Sequence, residues 1–111
     1  MSERSSARSY RFHPHAGSEL AEEAQYLRDD DREVAERFGT AVDHAIGRVC
    51  ELPEIGTLIL ERRGRRIRKW RVRGFRYSLV YALLDDVIRI LAVAHHSRRP
   101  GYWIYRLRSV R

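Results

Sequence analysis

Lysine and cysteine each occur once in these 111 residues, as Lys69 and Cys50. A lone cysteine excludes an internal disulfide and fits a reducing compartment, so the reading is a cytoplasmic protein. Cys50 has no partner cysteine at metal spacing and falls on the apolar side of a helical stretch, which marks it as core. No apolar run approaches the ~18 residues needed to cross a bilayer. The opening MSERSSARSY has no hydrophobic segment of the secretory kind, and residues 1–9 are expected to be a disordered tail. The glycines are isolated and form no phosphate-cradling loop, and zinc ligands are missing, so no metal or cofactor is expected.

What the chain does have is arginine, very unevenly placed. Residues 1–60 carry 7 Arg against 12 Asp/Glu, a net of −5, whereas residues 61–111 carry 15 Lys/Arg against 3 Asp/Glu, a net of +12. Nine of the sixteen residues from Glu61 to Arg76 are basic. Such asymmetry implies a polyanionic or acidic partner, although a basic face can also serve solubility alone.

YRFHP (Tyr10 to Pro14) is a short, partly alternating run stopped by proline, which suits an edge strand. From His15 to Arg28 the pattern turns helical, with Leu20, Ala24 and Leu27 on one side and Glu19, Glu22, Glu23 and Gln25 left for water. RDDD breaks it; Asp30 with Glu33 has the form of a capping box, and Asp31 is also an eligible cap. A second helix follows, in which Val34, Phe38, Val42, Ile46 and Val49 form a stripe widened by Ala41 and Ala45, ending before Pro53.

The second half supplies a sheet for this αα-hairpin to cover. Leu58, Ile59 and Leu60, between a Gly56 entry and a Gly64 turn, are expected under the core. IRKWRV alternates weakly. GFRYSLVYALL places Tyr77, Leu79, Tyr81 and Leu83 on one face and Ser78, Val80 and Ala82 on the other. Asp85-Asp86 suits a hairpin turn, and VIRILAVAH reads as a strand covered on both sides. The order β-α-α-β-β-β implies an α+β domain, with helices on one face of an antiparallel sheet.

Taken in order, FHP, ELAEEAQYL, RFGTAVDHAIGRVCELPEIG, RVRGFRYSLVYAL and IRILAVAHHSRRPGYW resemble the RelE/ParE superfamily of toxins from type II toxin–antitoxin modules. The resemblance places a single toxin domain over residues 10–105, with a basic tail at 106–111. It implies a cognate antitoxin that wraps the toxin, with operator DNA reached only through that antitoxin. Tyr10, Phe12, Trp70 and Trp103 are the expected antitoxin contacts, although Trp70 and Trp103 also read as core. No membrane partner is implied.

The superfamily divides in function. RelE-like members cut messenger RNA on the ribosome, whereas ParE-like members bind and inhibit DNA gyrase. RNA cleavage needs a proton acceptor, a proton donor and cations around the phosphate. His95 or His96 could move protons near neutrality. As strand neighbours they point to opposite faces, so one at most faces a given cleft. Arg76 and Arg98 could fork onto phosphate, and Tyr102 could stack on a base. The lysine-rich set of ribosome-dependent members is largely replaced by arginine, a poor base. Glu61 is the only glutamate after residue 54, and it sits in the basic loop. The ending HHSRRPGYW is more similar to ParE-like members. That favours gyrase binding, with Arg71, Arg73, Arg98 and Arg99 as target contacts.

Overall fold

The computed structural model describes residues 7–109. The order is β1 (Tyr10–Phe12), α1 (Pro14–Asp30), α2 (Arg32–Glu51), a short 3-10 turn at Pro53–Ile55, then β2 (Thr57–Arg62), β3 (Arg65–Val72), β4 (Tyr77–Leu84) and β5 (Val87–His95). A final 3-10 segment, η2, spans Ile104–Ser109. The five strands form one sheet in the order β1-β5-β4-β3-β2.

Local chemistry sets the element ends. Pro14 starts α1, where its missing N–H costs nothing. Asp31 alone separates the helices, and its carboxylate accepts from the Glu33 and Val34 N–H groups at 3.0 and 3.4 Å. Asp31 is therefore the cap, and the Asp30–Glu33 capping box is not formed, because α1 runs on through Asp30. Asp85 and Asp86 both take positive φ, 51° and 64°, which is the two-residue turn whose twist suits a hairpin.

The α+β architecture matches the expectation, with two corrections to the sheet. It is mixed: β2 to β5 form an antiparallel meander, but β1 pairs in parallel with β5, Arg11 beside Arg89. Four strands, not three, follow the helices. TLILER is β2, the free edge strand, and Leu58 and Ile59 are exposed rather than tucked under the core. At an edge the pleat needs only one covered face, so the apolar run gave a false signal of burial.

Two apolar layers flank the sheet. On one side Phe38, Val42, Ala45, Ile46 and Val49 of α2 pack on Val72, Leu79, Tyr81, Ile88, Ile90 and Val93, with Cys50 buried beside them. On the other, Ile67, Val80, Ala82, Leu91 and Ala92 are covered by Trp103 and Leu107 of the C-terminal segment. Arg106 and Leu107 are thus buried, so the expected tail at 106–111 begins inside the fold; residues 110–111 lie outside the described residues. At the other end, Arg8 and Ser9 already hydrogen-bond to Cys50 and Ile88, so the expected N-terminal tail is too long; residues 1–6 lie outside the described residues.

Candidate functional site: a basic groove on the face opposite the helices

Strand alternation places Lys69 and Arg71 of β3 and Ser78 of β4 on the face turned away from the helices, with Arg71 directly beside Ser78. Beyond β5, His96 falls on the same face. Its Nε2 lies 3.2 Å from Ser78 Oγ, and its backbone N–H donates to the Arg76 carbonyl at 2.9 Å. The chain then turns over this face. Arg98, Arg99, Pro100, Gly101, Tyr102 and Trp103 wall a groove of about 430 Å³ that Ile59, Leu60 and Lys69 close on the far side.

His95 takes the opposite direction, as neighbours on a strand must. Its ring meets Tyr77 edge-on at 4.9 Å on the helix side, and its Nδ1 accepts from the Ser97 N–H at 3.0 Å. Both histidines border the groove, but His96 is the one whose imidazole reaches Ser78 on this face. Burial, the neighbouring Arg71, His95 and Lys69 lower its pKa below 6.5, partly offset by a hydrogen bond to the Tyr77 backbone. The shift favours the neutral ring, which could accept a proton.

Tyr102 is committed elsewhere. Its hydroxyl donates to Glu19 Oε2 at 2.7 Å, and the Arg98 guanidinium lies 3.8 Å from the centre of its ring. Burial and the Glu19 carboxylate push the phenol pKa well up, so it is ill suited to give up a proton. Trp103 is buried in the second apolar layer and forms the groove's floor rather than an exposed contact.

The other anticipated residues scatter. Arg76 lies in the β3–β4 turn, exposed, and serves the groove through its carbonyl. Arg73 belongs to a different hollow, with Phe75 and the α2 residues Glu33, Glu36 and Arg37. Trp70 faces the helices and packs against that core. Phe12 does the same, while Tyr10 stays exposed at the β1 edge. Glu61 pairs with Arg66 at 3.8 Å, five residues along β3 from Arg71, or about 17 Å at strand rise. It cannot serve as base to a group at His96.

Helical periodicity leaves Glu19 for water, yet it is the central polar residue behind the groove. β1 stops pairing at Phe12, so β5 beyond Ile90 has no strand neighbour on that side. Glu19 takes the place of that strand: its carboxylate accepts from the Val93 N–H at 3.1 Å and from both terminal nitrogens of Arg106 at 3.0 and 2.9 Å. Arg106 in turn donates to the Leu91 carbonyl at 2.8 Å. Burial alone would raise the Glu19 pKa, but the bonds from Arg106, Tyr102 and Val93 outweigh it and hold the carboxyl below its ordinary value. Nothing in the 3.6-residue periodicity signals this, because the partner is 87 residues away. Ser78 and Lys69 were more accessible to inference, since the alternation of β3 and β4 puts them on one face.

Residues 10–100 match the family model described as the ParE toxin of the type II toxin–antitoxin system, parDE. A comparison with curated proteins gave no match. The matched stretch runs from β1 through the arginine pair of the groove wall, and the covering segment Tyr102–Ser109 lies beyond it. With this strand-helix-helix-meander order and a family match over most of its length, the chain belongs to the ParE toxins of type II toxin–antitoxin systems, within the RelE/ParE superfamily.

Proposed function

We propose that this toxin acts by gripping DNA gyrase through its basic groove rather than by cutting RNA, and that its cognate antitoxin neutralises it. The observation that supports gripping is the chemistry of the groove. It offers Lys69, Arg98 and Arg99 with an apolar wall, and Arg71 stands on the same face beside Ser78. The nearest carboxylate, Glu19, is held by Arg106 and Tyr102, and the one tyrosine is tied to it. Cations over an apolar floor suit an acidic protein surface, with steering at long range and desolvated contact at short range.

The test is induction of the chain in bacteria without its antitoxin, together with supercoiling by purified gyrase. Gyrase inhibition, with replication arrest and continued protein synthesis, is the expected result. Immediate arrest of protein synthesis with messenger RNA cut at ribosome-occupied codons would overturn it. The second reading draws on His96 and Ser78, which could pass a proton beside phosphate-binding Arg98. His96→Ala separates the two. Gyrase binding should be little changed, whereas a nuclease would lose about 100-fold or more in rate.

A further inference from the structure

A second cationic hollow lies near the other end of the sheet. Arg89 of β5 is in register with Ala82 of β4, four residues or about 13 Å along the strand from Ser78 in the groove. Arg11 and Arg89 stand side by side on neighbouring parallel strands and project on the same face. Arg108 of η2 joins them over a hollow of about 570 Å³ that also takes in His13, His15 and Tyr105.

Three features of this hollow call for a ligand. Among the described residues, none of Arg11, Arg89 and Arg108 has a carboxylate partner, although all three line one hollow. The Nε of Arg89 is buried without a hydrogen-bond partner, and a buried donor left unmade is costly enough to need a reason. The 17-residue helix α1 also begins here with no acidic residue in its first turn, so its positive end adds to the same potential.

We propose that this hollow binds a phosphate group of a nucleic-acid strand, a site separate from the groove and from the proposed grip on gyrase. A phosphodiester spreads two anionic oxygens toward arginine forks arriving from different elements, which one carboxylate does less well. Beside the arginines, Tyr105 is half exposed, with its hydroxyl 2.7 Å from His15 Nδ1 and the two rings 5.8 Å apart. That is a surface on which a base can stack. The cations also continue in a line. Arg108 lines a neighbouring hollow with Arg62, Arg63 and Arg65 at the β2–β3 turn, so successive phosphates along a strand would meet successive arginines.

The experiment is fluorescence anisotropy of the full chain, freed of antitoxin, with a labelled single strand of about 12 nucleotides. Arg11→Glu with Arg108→Glu should weaken binding about tenfold or more and reduce the salt slope by about 2, with an unchanged melting curve because both side chains are exposed. Arg32→Glu with Arg37→Glu, the same charge change on the exposed side of α2, should weaken it by less than about threefold. Equal losses in the two variants, or no binding by the unaltered chain, would overturn the site. So would displacement of the oligonucleotide by an equal concentration of polyglutamate, which would show that the arginines read carboxylates of a protein. Arg98→Glu with Arg99→Glu should leave oligonucleotide binding intact, so failure of the gyrase reading is seen separately.

Discussion

Single residues carry unusual weight where a strand is missing. Glu19 replaces hydrogen bonds that a longer β1 would have made, and its partner Arg106 is almost fully buried. Glu19→Gln should therefore cost about 3–5 kcal/mol in urea denaturation, because it leaves a buried guanidinium without its counter-charge. The same groups set the pH response. His13 and His96 have lowered pKa values in the folded chain, from burial first and neighbouring cations next. The folded state thus binds fewer protons, and stability that is complete above 6.5 declines as pH falls below it. Glu19, also lowered, adds stability above its unfolded value of 4.5 that is lost as pH falls further. Unfolding midpoints measured from pH 8 to pH 3 should show both declines in the parent and only the first in Glu19→Gln. Sequence reading placed Glu19 in water because helical periodicity sees only its own helix. By contrast, strand alternation alone suggests the different ring partners of the two histidines, Tyr77 for His95 and Ser78 for His96, although both border the groove.

At the scale of elements, α2 was plain from its single covered face, and β4 from strict alternation even though both of its faces are buried. The parallel pairing of β1 was not, because three residues cannot announce their neighbour. Nor was the part of the cover formed by η2, whose basic composition reads as a tail until Leu107 is seen with Ile67, Leu91 and Ala92, although Trp103 just before it already reads as core. That cover has a measurable worth: Trp103→Ala should cost about 3–5 kcal/mol and expose enough apolar surface to bind a hydrophobic dye. The link from α2 into β2 is equally specific. The Tyr81 hydroxyl donates to the Pro53 carbonyl at 2.7 Å and accepts from the Gly56 N–H at 3.0 Å. A methyl at Gly56 would stand 2.6 Å from that hydroxyl and 2.7 Å from the Lys69 carbonyl. Tyr81→Phe should thus lose about 1–3 kcal/mol, read as a lower midpoint with an unchanged denaturant slope. Gly56→Ala should cost more, since backbone would have to move.

Across the whole molecule, charge is sorted between the two halves, −5 before residue 61 and +12 after it. Capture by an acidic segment of the antitoxin should accordingly slow about tenfold or more as salt rises from about 50 to about 500 mM, with dissociation much less affected. Stopped-flow mixing with the antitoxin checks this. Replacement of Arg98 and Arg99 together by glutamine should abolish toxicity while the chain still melts cooperatively, with a small loss of stability because Arg98 gives up its 4.0 Å pairing with Glu19. Unchanged toxicity would place the grip elsewhere. The two ends of the chain also meet on β5: β1 pairs with it from residues 10–12, and Arg106 closes on it from the far terminus. During synthesis the first strand therefore waits, without a place to dock, until the last hairpin has emerged. The clasp between Glu19 and Arg106 has to wait longer still, since its partners stand 87 residues apart. A partly made chain therefore lacks both its parallel edge strand and the Glu19–Arg106 clasp.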